Sequence, residues 1–411
     1  MRVLVVLLFC YSILFGADAT LEVSKSAQKI SKLAIEDGSV SSELSQSFAK
    51  ILAVDMKVLS IFEVDDRYYA GVFESDNRYL DKRYLLKYKL YSDGSGGIKA
   101  DVRFLDEEHS IFNKHYHLKN RDMIVFLSHN IAYDINEKLG GSNVSWMKNK
   151  VVFTRLIAPK VSEIVVADYT LSYQQVVLKG GMYNFAKWAN KAQSDIYYTN
   201  LSDYNPTIYK LNLATGNRTR VISSDGMAVC SDVSEDGTKL LLTLAPNGQP
   251  DIYQYDLNSA EKKRVTDFSG IDVNGQFMGD GSIAFVSNRL GNPNIFSTRV
   301  GSTAVSRLVN YGKNNSSLSS HKNLLVYKAR ESDGSFKGNS FNLHLLSLNS
   351  GAVKRLTASG ENDFPKFSND GDAILFIKQE SSKSSVGIIR HTMGQSFSFA
   401  LRTGRISSID W

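Results

Sequence analysis

Residues Ser234–Phe268 read SEDGTKLLLTLAPNGQPDIYQYDLNSAEKKRVTDF. A polar turn runs into a burst of leucines, then an Asp-Ile-Tyr segment, then Arg-Val-Thr. Similar wording returns at Gly279–Asn310, GDGSIAFVSNRLGNPNIFSTRVGSTAVSRLVN. Aligning the chain with itself gives two columns. Ile208-Tyr209, Ile252-Tyr253, Ile295-Phe296 and Leu343-His344 form one; Arg220-Val221, Arg264-Val265, Arg307-Leu308 and Arg355-Leu356 form the other. Both advance by about 44, 43 and 48 residues, the period of a four-stranded propeller blade. Two columns sharing the same irregular step argue against coincidence. Ile164-Val165 and Ile388-Ile389 extend the register in both directions. Asp-Gly pairs at Asp236-Gly237, Asp280-Gly281 and Asp370-Gly371 each precede an apolar strand, and such pairs suit tight hairpins because they accept positive φ.

About six units fit between residue 146 and the end, within the usual count for a β-propeller. The unit from Val151 to Lys179 supplies only three strands. The segment GRISSIDW, Gly404–Trp411, alternates like the first strand of a repeat that then stops. Its pairing into the first blade would close the ring and remove two exposed edges.

Residues 41–145 do not repeat. SSELSQSFAKILAVDMKVL sets Leu44, Phe48, Ile51 and Leu52 on one helical face, capped by Ser41 or Ser42. IFEVDD reads as a strand; YLLKYKLYSDG and IKADVRFLD read as paired strands joined through Asp93 to Gly97. RDMIVFLSHNIAYDINEKLGG is a second helix, with Ile124, Leu127, Ile131 and Ile135 aligned and Gly140-Gly141 as its stop. Helices interleaved with strands predict a small α/β domain. Residues 20–40 are polar and weakly patterned, as a mobile segment would be.

The chain has 411 residues, a formal charge of +6 and 43% hydrophobic residues, enough for a packed core. Lys and Arg are scattered, which argues against a nucleic-acid stripe. Arg2, the apolar run Val3–Phe15 and Ala17-Asp18-Ala19 make residues 1–19 a signal peptide with an A-x-A cleavage site. Cys10 goes with it, leaving Cys230 in MAVCSDV as a buried thiol.

Catalytic chemistry finds little footing. There is no G-x-S-x-G elbow, and the last blade leaves no room for a hydrolase domain. His115-x-His117 shares one strand face, without a neighbouring carboxylate or cysteine in sequence to complete a metal site. His321, His344 and His391 are scattered. Asp236, Asp280 and Asp370 belong to hairpin turns rather than to the dense ligand loop calcium needs. No phosphate-binding glycine loop follows a strand. No enzyme, metal or cofactor is expected. Loops joining successive blades carry polar groups beside apolar anchors, the composition of a protein-binding rim.

Signal peptide, small α/β domain and six-bladed propeller together resemble the TolB family, the periplasmic component of the Tol–Pal system of Gram-negative bacteria. The blade motif of that family is close to Ser-Pro-Asp-Gly, an apolar strand, Asn/Asp-Ile-Tyr and Arg-Leu-Thr. It stands here as SEDGTKLLLTLAPNGQPDIYQYDL with KRVT, as GDGSIAFVSNRLGNPNIF with SRLV, and as FSNDGDAILFI after KRLTASGENDFPKF. Glu235 and Asn369 replace the motif's proline, and one blade has SSHKN at its turn. SFAKILAVDMKVLSIFEV and HNIAYDINEKLGGSNVSW occupy the places of the family's first helix and strand and of its last helix before the propeller. The resemblance implies an adaptor, monomeric and without nucleic acid or membrane insertion, that keeps the outer membrane attached and drawn in during cell division. The peptidoglycan-associated lipoprotein Pal would bind the propeller rim, placed by loop position at Asp225, Met227, Ile271, Tyr311, Lys313, Asn362 and Asp363. The inner-membrane protein TolA would bind the N-terminal segment TLEVSKSAQKISKLAIED, at Leu21, Glu22 and Val23. The competing expectation is an exported propeller enzyme or a binder of sugar or peptide, with convergent polar groups in the channel.

Overall fold

The computed structural model describes residues 19–23, 30–75, 81–107, 109–330, 341–381 and 383–411; the expected signal peptide, residues 1–19, lies outside them apart from Ala19. Two compact units divide the described chain. One runs to Lys138; the other runs from Leu139 to Trp411 and takes in the strand Ala19–Val23.

The first unit is a mixed sheet with two helices. Strand order is Phe62–Val64, Ser31–Asp37, Tyr84–Ser92, Ile98–Leu105, Ser110–Leu118, with Tyr69–Ala70 also on Ser31–Asp37. Pairings to Ser31–Asp37 are parallel and the rest antiparallel. Helix α1, Glu43–Val58, starts at Ser42, whose hydroxyl and that of Ser45 cap each other's backbone N–H, a reciprocal arrangement that satisfies two orphan donors. Helix α2, Ile124–Lys138, buries Ile124, Leu127, Ile131 and Ile135.

Residues 31–37 correct the expectation of a mobile segment over 20–40. They form a central strand because Leu33, Ala34 and Ile35 are wholly or nearly buried and because the acids that made the stretch look polar have buried partners. Lys87 Nζ lies 2.8 Å from Glu36; Asp37 accepts from the Tyr68 hydroxyl at 2.7 Å and the Ser39 N–H at 2.8 Å.

The second unit is six four-stranded antiparallel blades. The inner strands, in ring order, are Arg405–Asp410, Tyr183–Trp188, Ala228–Val233, Asp272–Phe277, Lys313–His321 and Glu361–Phe367, and each touches the next round a closed circle. Blade 1 combines Arg405–Asp410 with Val151–Ala158, Val161–Ala167 and Gln174–Gly181, so the two ends of this unit share one sheet. Blades 2 to 6 follow over 183–223, 228–264, 272–307, 313–355 and 361–400. Leu21, Glu22 and Val23 belong to Ala19–Val23, which pairs antiparallel with Gln395–Ala400 as a fifth strand of blade 6. A free tail was expected there.

Each blade presses an apolar face on the next. Val152, Ile164 and Val166 meet Trp188, Ile196 and Tyr198 between blades 1 and 2, and Val326 and Leu343 meet Ile374 and Phe376 between blades 5 and 6. Between blades 6 and 1, aromatic rings do the work: Trp146 packs on Tyr169 and Trp411, and Tyr169 on Phe399. The turn glycines Gly237, Gly281 and Gly371 have φ of +72°, +78° and +79°. Where SSHKN replaces the motif, Lys322 takes φ +51° instead.

All six inner strands carry a register shift just before their last residues, at Asn184/Lys187, Cys230/Asp232, Val273/Gln276, Ser316/Ser319, Asp363/Lys366 and Ile406/Ser408. Phe185, Asn274, Ser317 and Phe364 sit in these bulges with φ between +45° and +56°. A bulge sharpens the local twist and re-aims the side chains after it.

Candidate functional site

Inner strands run from the blade-joining loops at one end of the channel to the hairpin turns at the other. The two mouths are built differently.

The loop mouth carries the expected rim residues. Met227, Ile271 and Tyr311 are 38%, 47% and 50% exposed, and Asp225 and Lys313 are exposed beside them. Asp225 accepts from the Asn205 amide at 3.2 Å; the Tyr311 ring lies 5.3 Å from that of His344. Asn362 does not belong with them. It is fully buried, and its amide donates to Phe341 O at 3.1 Å and Ser359 O at 3.0 Å, tying blade 6 to blade 5. Asp363 is half-buried and held by Lys328 Nζ and the Ser317 hydroxyl, both at 2.6 Å.

The turn mouth opens into a cavity of about 760 Å³. On its floor lies a ring of one residue per blade, each placed by the bulge before it: Asp410, Lys187, Asp232, Gln276, Ser319 and Lys366. Lys187 Nζ lies 3.2 Å from Asp410 and 3.8 Å from Asp232. Asp410 also accepts the Trp188 N–H at 3.0 Å, and Asp232 the Phe277 N–H at 2.8 Å. Burial opposes the Lys187 charge, but the two carboxylates outweigh it and hold its pKa above the ordinary lysine range. Lys366 has no carboxylate within ion-pairing distance among the described residues: burial, then Lys187, push its pKa down to about 8 against the weaker pull of Asp410 and Asp232. Burial raises Asp232 above the usual carboxylate range against the pull of Lys187. It also pushes the Cys230 thiol up to about 12.

Sequence reasoning missed this ring, although a signal was present. Lys187-Trp188, Asp232-Val233, Lys366-Phe367 and Asp410-Trp411 each put a charge before an apolar residue at the same point of the repeat.

In the first unit, Asp55 on α1 accepts from the Ser128 hydroxyl at 2.5 Å and meets His129 Nδ1 at 2.9 Å, all three fully buried. Ser, His and Asp are together, but the hydroxyl points at the carboxylate, not at the imidazole that would activate it. His115 and His117 do find carboxylates, Asp101 at 2.5 Å and Asp93 at 2.8 Å, brought across from the neighbouring strand and its turn. Each histidine has its own partner, and among the described residues no group of three or more His, Cys, Asp or Glu is arranged to hold a metal ion. No helix among them is long and apolar enough to cross a membrane.

The TolB beta propeller domain model matches residues 137–411. The chain belongs to the TolB family. It is 40% identical over its whole length to the Tol-Pal system protein TolB of Wolinella succinogenes, covering all of that protein. It is 39% identical to the protein of that name from Campylobacter jejuni, again with full coverage of both. Among solved structures, TolB from Acinetobacter baumannii superposes with a TM-score of 0.77 over 96% of this chain and 99% of that one, at 20% identity. That likeness speaks for the fold, α/β unit and six-bladed propeller together.

Proposed function

We propose that the chain is the periplasmic TolB component of a Tol–Pal system, a non-catalytic adaptor that receives a Pal-like peptidoglycan-associated lipoprotein on the loop mouth of its propeller. The observation that carries this reading is the exposed trio Met227, Ile271 and Tyr311 among polar neighbours, on a chain whose full-length relatives are named Tol-Pal system proteins. Apolar anchors ringed by adaptable polar groups are what a partner surface uses. Asp225 and Lys313 belong to the same surface. Asn362 and Asp363 act from below, as the buried tie and the ion pair that fix the blade 6 loop.

A TolA-like inner-membrane protein is the second partner, engaged through Leu21, Glu22 and Val23. The backbone of that strand is already paired with Gln395–Ala400, so a partner that takes it as a strand must first displace it or add to its free edge. Through both contacts the protein would help to hold the outer membrane and draw it in at division.

The test is capture from periplasmic extract on the purified protein, beside a version without residues 20–28. Recovery of a Pal-like lipoprotein by both, with a TolA-like protein lost from the truncation, is the expected result. Recovery of neither by either version overturns the assignment.

A further inference from the structure

The second mouth of the channel has a chemistry that partner binding at the loop rim does not use. Its ring holds two ammonium groups and two carboxylates, and they are not evenly matched. Lys187 stands between Asp410 and Asp232 and engages both. Each carboxylate has in addition a backbone N–H, from Trp188 and Phe277. Both carboxylates are thus engaged at short range by Lys187 and a backbone N–H, and they act on Lys366 only from farther across the ring. Lys366, from blade 6, has no carboxylate within ion-pairing distance among the described residues. Its neighbour in the ring, Ser319, accepts the Phe367 N–H at 3.1 Å and has its hydroxyl proton left to give. Above them Lys322, exposed at the lip of the same cavity, also has no ion pair among the described residues. Phe364 is held at φ +50° two residues before Lys366, an uncommon conformation for an aromatic residue; the strand bends there in the way that sends Lys366 into the channel.

We propose that the turn mouth is a site for one small oxyanion, a carboxylate or a sulfate- or phosphate-type ion, received by the Lys366 ammonium with the Ser319 hydroxyl beside it and Lys322 at the entrance. An ion there gives Lys366 the direct partner that Asp410 and Asp232, both engaged by Lys187, do not supply. A partially buried ammonium facing an accessible cavity gains most from such a ligand, because charge-assisted hydrogen bonds are the stronger class. Since the Lys366 proton is held only to about pH 8, binding is full below that pH and weakens above it.

Isothermal titration of the purified protein at constant ionic strength, with sodium sulfate in one arm and sodium acetate in the other and chloride as the reference, tests this. Neither probe changes charge between pH 7 and 10, so the protein alone sets the profile. Saturable binding of one ion per chain at pH 7 is expected, by sulfate, acetate or both, which also separates an inorganic ion from a carboxylate as the class received. Lys366→Met is expected to weaken it at least about tenfold, the scale of one charge-assisted hydrogen bond, and Lys366→Arg to retain it. The absence of saturable heat with both probes, or an affinity unchanged by Lys366→Met, overturns the proposal. Should Lys366→Met fail to fold, the wild-type profile decides. Affinity falling from pH 7 to 10 supports the site, and a flat profile overturns it.

Discussion

The two mouths of the channel are ends of the same six strands, yet they hold their residues in opposite ways. At the loop mouth Met227, Ile271 and Tyr311 stand about half in solvent and lean on little. At the turn mouth Lys187, Asp232, Asp410 and two backbone N–H groups are locked together across four blades. Exposed side chains with few contacts are inexpensive to vary and available to a partner. A buried charge network is costly to break and joins blades beside their apolar faces and other cross-blade hydrogen bonds. On the proposed function, recognition falls at the loops, while the charge network ties the inner strands together at the turns.

The largest way to break that contrast is Asp410→Ala. It removes the carboxylate that accepts from Lys187 and from Trp188 N–H on the strand that closes the ring. Lys187 keeps only the more distant Asp232, at 3.8 Å; breaking a buried pair costs up to about 3–5 kcal/mol, so the denaturant midpoint falls. A midpoint that does not move would mean that the ring does not hold blades 1 and 2.

Lys366 has the opposite sign. Its pKa in the folded chain is about 8 against an ordinary 10.5, so between these values the unfolded chain binds the additional proton and stability rises with pH. The cost is fully present below pH 8 and is relieved towards 10.5. The channel exposes part of the side chain to solvent, so the cost is put on the order of 1–2 kcal/mol, below what the full shift alone would give. In ligand-free buffer at pH 7, Lys366→Met should gain that amount, read as a higher denaturant midpoint. The wild-type rise in stability between pH 8 and 10 should flatten in the variant.

Rim substitutions sharpen the contrast by doing little. Met227→Ser, Ile271→Ser and Tyr311→Ser should each change stability by less than about 0.5 kcal/mol, measured in the same denaturation series. Smallest of all is the effect of a thiol reagent. Cys230, 4% exposed and with its pKa at about 12, should stay unmodified in the folded protein at pH 8 and react only on unfolding. Ready labelling would show that blade 3 opens.

The repeat was legible in the sequence because each blade is held by local signals. Apolar alternation and an Asp-Gly turn with positive-φ glycine, as at Gly237 and Gly371, write a hairpin into a dozen residues. Rim positions were legible only as loop positions. Asn362 misled because a loop position says nothing about which way the side chain turns. Its amide turns inward to bond Phe341 and Ser359, and exposure passes to Met227, Ile271 and Tyr311. The charged ring stayed hidden because its members come one from each blade and meet only when six bulges aim them at one axis. Ser31–Asp37 was missed for another reason. Its two acids look solvent-bound, and the partners that bury them, Lys87 and Tyr68, lie more than 30 residues away, at distances of 2.8 and 2.7 Å only after folding.

The division of labour between the mouths is tested most directly by titrating a soluble Pal-like lipoprotein domain into three proteins: wild type, the triple variant Met227→Ser, Ile271→Ser, Tyr311→Ser, and Lys366→Met. The account predicts that the triple variant loses at least about a hundredfold in affinity, the range of two strong anchors, while Lys366→Met binds as wild type does. Full-strength binding by the triple variant, with loss in Lys366→Met, would put the partner at the turn mouth and contradict the account.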